Sequence, residues 1–393
     1  MCIRVSFYSF DERTCMKAES HSLKAGILEG IRVLDLSRML SGPYATMLLA
    51  DHGAEVIKIE ASDGDDTRNW GPPFIDRDGD SSAAYFHSCN RGKASITIDL
   101  TKSHDQIRLR KLIESSDILI ENFKVGNLKK YGFDYESVKL INPALIYCSI
   151  TGFGQTGPYS HRAGYDYIIQ GMSGFMSITG EAGEMPQRAG VAVTDLFTGL
   201  YATTAILSAI HMRNETGKGQ HIDMALLDCA VSVMVNQAMN FMSTGISPDR
   251  VGNIHHNQCP YQVFECANGH LIIAIGNDGQ FSRLCNILKL ESLSNDPLFL
   301  TNEQRVLNRD QLTRMLSDAI KAFQKDELLK LCEDKNVPAG PINTMEEVFK
   351  DPQVIFREMA LNFGNLQGVA SPFKFSDAQL NMEAPSPQLG QDN

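Results

Sequence analysis

The residue most able to do chemistry is Asp195, in the stretch GVAVTDLFTGL over residues 190–200. Three apolar residues, Val191, Ala192 and Val193, lead into a Thr194-Asp195 pair, and an apolar helical run, LFTGLYATTAILSAI, follows. An Asp at a helix start can act as an N-cap, accepting backbone N–H groups and meeting the positive end of the helix dipole. The same position, beside a glycine-punctuated loop, also suits a carboxylate nucleophile. The block upstream, SITGFGQTGPYSHRAGYDYIIQGMSGFMSITG, favours the second reading. Glycines stand at nine positions from Gly152 to Gly190, and so many imply close approach of backbone to something bound.

Other reactive residue types are weaker candidates. His255 and His256, in VGNIHHNQCPYQ, have only Cys259 near at ligand spacing, so no metal site is expected. The acids of DGDD and DRDGD lack the terminal Glu of a calcium loop and read as solvated. Arg91 and Lys93 in NRGKAS, with Lys124, Lys129 and Lys130 in NFKVGNLKKYG, form two basic clusters. Each is readable as surface charge; following strands of one sheet, they can instead hold a pyrophosphate and a further phosphate.

These residues are placed by an alternating pattern of strands and helices. IRVLDL (31–36), a glycine-containing turn, the helical YATMLLADHG and the strand EVIKIE form a βαβ unit with a right-handed crossover, Pro43 fitting the first helical turn. ASITIDL (94–100), a helix over SHDQIRLRKLIESS, DILIEN (117–122) and ALIYCSI (144–150) repeat the alternation. The fold class is therefore α/β, with a mostly parallel sheet covered by helices on both faces. The first turn, SRMLSGP, lacks G-x-G-x-x-G, so Glu60 at the end of the second strand is a lone acid and a nicotinamide site is not expected. A polar loop, ASDGDDTRNWGPPFIDRDGDSS, is long enough to be functional and holds the only tryptophan, Trp70.

Domain organisation follows from shifts of texture. Residues 1–27 read as an extension, 28–215 as the first part of a large domain, 216–245 as a linker helix, 246–335 as a smaller α+β domain opened by the hairpin YQVFECANGHLIIAIGN, and 336–393 as a return to the large domain. The length, 393 residues at 43% hydrophobic, suits this division. A net charge of −11 argues against nucleic acid or an anionic membrane as partner, and no apolar run is expected to approach the length of a membrane span. Nine scattered cysteines with no C-x-x-C pair point to a reducing compartment, cytoplasmic or, alternatively, the mitochondrial matrix. The first fifteen residues make a poor targeting peptide, and Met16 is as good a start as Met1.

Taken together, GIRVLDLSRMLSGPYATMLLADHGAEVIKIE, GDDTRNWGPP, NRGKASITIDL, DILIENF, ITGFGQTGP, RAGYDYIIQGMSGFMSITG and GVAVTDLFTGLYA resemble the class III CoA-transferases, the formyl-CoA and carnitine-CoA transferase group, over residues 28–390. GDDTRNWGPPF, IHHNQCPYQVF and IGNDGQF are similar to the branch that includes succinate–hydroxymethylglutarate CoA-transferase. The resemblance implies a large Rossmann-like domain built from both chain ends, a small domain and an interlocked homodimer. It places the nucleophile on Asp195 and the CoA contacts on Met39, Leu40, Ser41, Ile98, Asp99, Asn122, Phe123 and Lys130. No cofactor is permanently bound; coenzyme A and acyl-CoA enter as substrates, with a small carboxylic acid as acceptor. Two departures stand out. Glu60 is followed by Ala61 where the family has a basic residue, and NIHHNQCP replaces the glycine run of formyl-CoA transferases, which points to a larger acid than formate or oxalate.

The implied chemistry is carboxylate exchange. Asp195 attacks the donor thioester to give a mixed anhydride and CoA thiolate, the thiolate attacks the aspartyl carbonyl, and an aspartyl-CoA thioester results; the acceptor acid reverses the sequence. Backbone N–H groups of the glycine-rich segments are the expected oxyanion donors. One rival is an isomerase of the α-methylacyl-CoA racemase type, which pairs an acid with a His before a second Asp. Here that position is Tyr165, ahead of Asp166, and a tyrosine is a poor base at neutral pH. The other rival is a non-catalytic acyl-CoA-binding protein.

Overall fold

Six parallel strands organise the chain, which a computed structural model describes over residues 26–77 and 79–393. Cys2, Cys15, most of the 1–27 extension and the choice between Met1 and Met16 lie outside the described residues. In chain order, β1 (Arg32–Asp35), α1 (Ser41–Asp51) and β2 (Glu55–Glu60) are followed by the hairpin β3 (Phe74–Arg77) and β4 (Asp80–Ala83), then α2 (Ala84–His87), β5 (Lys93–Thr97), α3 (Ser103–Glu114), β6 (Ile118–Glu121), α4 (Tyr135–Val138), β7 (Ile146–Thr151), α5 (Asp166–Met172), α6 (Val193–Thr216) and β8 (His221–Ala225). The sheet order is β5-β2-β1-β6-β7-β8, and every pairing in it is parallel. Counting sheet strands alone, this is 3-2-1-4-5-6, the doubly wound order.

Strands such as IYCSIT and ILIE are largely apolar and buried because helices cover both faces. Successive residues serve opposite cores. Val33, Ile118 and Ile120 join Leu49 and Ile206 under α1 and α6, while Leu34 and Leu119 join Leu109 and Ile113 under α3.

Beyond β8 come α7 (Leu226–Ser232) and α8 (Val235–Thr244), then a separate antiparallel sheet. There β9 (Tyr261–Cys266) and β10 (Gly269–Ala274) form the expected hairpin, and β11 (Ala339–Pro341) adds a third strand beside β10. Helices α9 (Asp278–Ile287), α10 (Asn302–Leu307), α11 (Arg309–Ile320) and α12 (Lys325–Asp334) accompany it, and its own core includes Leu271, Phe281, Leu312 and Leu328. The C-terminal residues run along the outer edge of β5: Asp392 N–H donates to Ser95 O at 2.9 Å and Thr97 N–H to Asn393 Oδ1 at 2.8 Å. An otherwise open sheet edge is thereby covered.

One expectation is corrected. Among the described residues α6, at 24 residues, is long and apolar enough to cross a bilayer. Its packing shows instead a scaffold helix lying on α1, with Thr198, Gly199, Ala202, Thr203 and Ile206 buried along the contact side.

Candidate active site

A doubly wound sheet opens a crevice where the strand order reverses, here between the carboxyl ends of β1 and β6. The loops leaving those two strands are tied directly together. Asn122 Oδ1 accepts the backbone N–H of Arg38 at 2.9 Å, and Asn122 Nδ2 donates to Arg38 O at 2.7 Å. On one side lies a cavity of about 260 Å³ lined by Met39, Ser41, Asn122, Phe123 and Asp195, with Arg38, Lys124, Arg162 and Tyr165. On the other lies a cavity of about 470 Å³ lined by Ile98, Asp99 and Lys130 together with Glu60, Ala61 and Tyr131. Arg38, Phe123 and Asn127 belong to both. The two spaces form one cleft running from the end of β5, past β1 and β6, to the start of α6.

Of the residues the resemblance implied as nucleophile and CoA contacts, only Leu40 lines neither cavity; it is buried and precedes α1 as its N-cap. Met39 has φ 71°, a left-handed conformation costly for a non-glycine residue, and its N–H reaches Asp65 Oδ1 at 3.3 Å. Asp99 turns its carboxylate onto Thr101, accepting from N–H at 2.9 Å and Oγ1 at 2.6 Å, and these bonds hold it below the usual carboxylate range. Lys130 is exposed, its ammonium 5.1 Å from the Tyr131 ring centroid.

Asp195 does not cap its helix. It is the third residue of α6, and Asp166 does the capping from outside: Asp166 Oδ1 accepts Thr194 N–H at 2.9 Å and Thr194 Oγ1 at 2.7 Å. Asp195 instead accepts a hydrogen bond from Ser41 Oγ on Oδ1, and it lines the cavity. Burial pushes its carboxyl up to about 6, the negative charge of Asp166 adds to the shift, and the Ser41 hydroxyl opposes it. A carboxyl so placed is mostly ionised at neutral pH yet poorly solvated, which makes it more nucleophilic than a surface Asp. Tyr85, from α2, is pushed up to about 12 by burial and by the charges of Asp195 and Asp166, and Trp70 of the long loop packs edge-on against it with centroids 5.3 Å apart.

The phosphate reading of one basic cluster is corrected. Arg91 and Lys93 are not phosphate ligands. Arg91 Nε donates to Asp51 Oδ1 at 2.8 Å, and the wholly buried Lys93 ammonium bonds Asp35 Oδ2 at 2.9 Å, Pro43 O at 2.9 Å and Asn90 Oδ1 at 2.8 Å. Lys93 belongs to a buried charge network with Asp35, Lys58 and Asp65, in which Lys58 Nζ reaches Ser37 O at 3.0 Å and so braces the Ser37–Ser41 turn from beneath. Glu60 is no ribose ligand either, since both its oxygens take Arg68 nitrogens at 2.8 Å. Of the glycines between Gly152 and Gly190, only Gly152 and Gly164 line the cavity, and the close approach they permit is to each other: a Cβ on either would lie 2.5 Å from the other's Cα. His256 spends its ring nitrogens on Gln237 at 2.7 Å and Asp249 O at 2.9 Å. Among the described residues no three His, Cys, Asp or Glu side chains gather at metal-ligand spacing.

Two cations escaped the sequence reading. Arg38 lines the second cavity together with Ala61, supplying from the first strand's turn the positive charge absent after the second; its signal was a lone Arg in the turn of the first βαβ unit. Arg162 lies between two glycines of the glycine-rich block, and only the folded loop brings it to Asp195's cavity.

Geometry also separates the rival chemistries. The second base of a racemase would stand at Tyr165, which is no histidine, and Asp166 beside it has Oδ1 on Thr194 and Oδ2 on Gln170 Nε2 at 2.7 Å. Among the described residues no histidine lines either cavity. A single free carboxylate at the end of a long cleft therefore suits covalent exchange better than two-base proton transfer.

Comparison with known proteins agrees. Residues 28–393 match the model of CoA-transferase family III. The chain is 51% identical over 372 residues to succinate–glutarate CoA-transferase of Agrobacterium fabrum, covering 93% of each, and 40% identical over 370 residues to succinyl-CoA:glutarate CoA-transferase of Homo sapiens, covering 93% of this chain and 84% of that one. The crystal structure of a CAIB/BAIF family protein from Brucella suis superposes with a TM-score of 0.86 at 52% identity, over 94% of this chain and 97% of that one.

Proposed function

The chain belongs to CoA-transferase family III, and from that membership we propose that it moves CoA from succinyl-CoA to glutarate or a similar acid, with Asp195 as the covalent carrier. The observation that carries the reading is the carboxylate of Asp195, held by Ser41 and lining the cleft. An Asp195 oxygen attacks the succinyl thioester carbonyl, the C–S bond breaks and CoA thiolate departs, leaving a mixed anhydride. The thiolate adds to the Asp195 carbonyl and succinate leaves, so the thioester is conserved on the enzyme. Glutarate then attacks that thioester and the same steps run backwards. Negative charge that develops on the carbonyl oxygen lies at the N-terminal, positive end of α6.

The CoA moiety occupies the cleft. Arg38 and Lys130 take its phosphates, and Met39, Ser41, Asn122 and Phe123 guide the chain toward Asp195, while Ile98 and Asp99 border the second cavity and Leu40 acts only by holding the turn. The working unit is a homodimer. Helices α6 and α8 turn outward a set of large apolar side chains, including Leu207, Met212, Val235, Met239, Phe241 and Met242, that a monomer would leave in water. The seven described cysteines are all free and buried, in keeping with a reducing cytoplasm.

The test is mass spectrometry of the enzyme mixed with succinyl-CoA alone. A CoA adduct on the Asp195 peptide, discharged by glutarate as glutaryl-CoA, is the expected result. Turnover without an adduct removes Asp195 as carrier, and an adduct that glutarate cannot discharge removes glutarate as acceptor.

A further inference from the structure

Building on the assignment of this cleft to transfer between dicarboxylic acids, we propose that Arg162 receives the free, distal carboxylate of the acyl donor and then of the acceptor. Both acids carry a second negative charge that must enter the cavity of Asp195. That cavity already holds the carboxylate of Asp195, and the charge of Asp166, bonded to Thr194 next to it, adds to the repulsion. Without a cation the distal carboxylate would be repelled and stripped of water at the same time.

Three cations line this cavity, and two of them also face other spaces. Arg38 pairs with Asp66 at 3.2 Å and also lines the second cavity; Lys124 faces a third cavity as well, beside Glu121 and Asp134. Arg162 lines Asp195's cavity alone and has no carboxylate partner among the described residues. Its guanidinium lies over two rings, 4.6 Å from the Tyr159 centroid and 5.1 Å from that of Phe153, and the rings pack edge-on at 5.6 Å. Stacking occupies the face of a guanidinium and restricts its rotamers, while the N–H edge stays available for bidentate contact with a carboxylate. One such cation serves both half-reactions, because succinate leaves the cavity before glutarate enters it.

The test compares loading of the full-length enzyme by succinyl-CoA and by butyryl-CoA, thioesters of equal acyl length that differ in the distal carboxylate. CoA-enzyme formation is followed in a single turnover by mass spectrometry. In wild type succinyl-CoA loads faster, and in Arg162→Met the succinyl-to-butyryl rate ratio falls about 100-fold, the scale of one charge-assisted contact. Arg162→Lys, which keeps a cation but not the fork, recovers part of the ratio. A ratio near one in wild type, or an unchanged ratio in Arg162→Met, including equal slowing of both thioesters, overturns the proposal while leaving the transferase reading intact. Failure of wild type to load from either thioester removes the transferase reading itself.

Discussion

The hydroxyl of Ser41, at the first residue of α1, donates to Oδ1 of Asp195 in the first turn of α6, joining two helix starts that lie 154 residues apart in the chain. The bond fixes the carboxylate's orientation and occupies one oxygen. It also counters the upward pull of burial on the Asp195 carboxyl. The contact exists because α1 and α6 cross closely at Gly199, where a Cβ would stand 2.8 Å from Ser41 O and 3.0 Å from Tyr44 Cδ1. The glycine of TDLFTGL is thus a packing requirement one helical turn beyond Asp195.

Replacing Asp195 by Asn separates chemistry from structure. Asp195 caps nothing, and its charge is poorly solvated and close to Asp166, so Asp195→Asn is expected to keep the wild-type melting temperature or raise it slightly. An amide is a poor nucleophile, and loss of a covalent carrier costs up to about 10⁶-fold in turnover. The measurements are a thermal melt and CoA-adduct mass after exposure to succinyl-CoA; a folded Asn variant that still transfers CoA at the wild-type rate sinks the assignment.

Gly199→Ala tests the helix crossing. The added methyl must push α6 away from α1 by a few tenths of an ångström, an overpacking cost of about 1–3 kcal/mol. Slower CoA loading should accompany the drop in melting temperature, because the same displacement stretches the Ser41–Asp195 bond. A variant that loses stability but loads at full rate would show that the crossing does not position the nucleophile.

Much of this site was legible in the sequence. The βαβ periodicity pointed to the parallel sheet, and the family resemblance implied Ser41, Asn122 and Phe123, which lie just after β1 and β6 at the switch point of the doubly wound sheet. The role of Asp195 within its helix was not legible, since a local stretch cannot reveal that Asp166, at the start of α5 and 28 residues before Thr194, supplies the cap. Arg91 and Lys93 misled for a related reason: a Lys in NRGKAS looks the same whether it meets solvent or Asp35. Arg162 was invisible because its neighbours Phe153 and Tyr159 stack on it only after the loop closes through Gly152 and Gly164.

The buried network under the Ser37–Ser41 turn should govern both stability and activity. Burial alone would raise the Asp35 carboxyl, yet Lys93 and Lys58 hold it at about 2. Lys93→Met leaves Asp35 and Asn90 without their cation, and breaking a buried pair from one side costs about 3–5 kcal/mol. Chemical denaturation should show that loss at neutral pH. Since the folded pKa is depressed, the wild-type contribution is complete above the ordinary value of 3.8 and fades as pH falls toward 2, so the stability gap between wild type and variant should narrow over that window. A constant gap would remove Asp35 as the partner that matters.

The outward apolar face of α6 and α8 gives a separate expectation. Met242→Glu, placing a charge among Val235, Met239 and Phe241, should convert a dimer into monomers in light scattering at micromolar concentration. Wild type that is itself monomeric there would leave the face without a second copy to cover it.

The pH dependence of CoA loading should report Asp195 directly. Only the carboxylate attacks, so with the group pushed up to about 6 the single-turnover rate should be flat at higher pH and fall about tenfold per unit below that value. Ser41→Ala deletes the contact that opposes burial, and the remaining causes, burial and Asp166, both push upward. The acid limb of the variant should therefore move to higher pH by about one unit, as expected for one hydrogen bond to a charged group. The variant should then be impaired at and below pH 6, by a factor that approaches about tenfold, and recover toward the wild-type rate at pH 8. A purely structural role for Ser41 would lower the rate by the same factor at every pH. A uniform loss across the profile would therefore place Ser41 in the packing of α1 and exclude it from tuning the nucleophile.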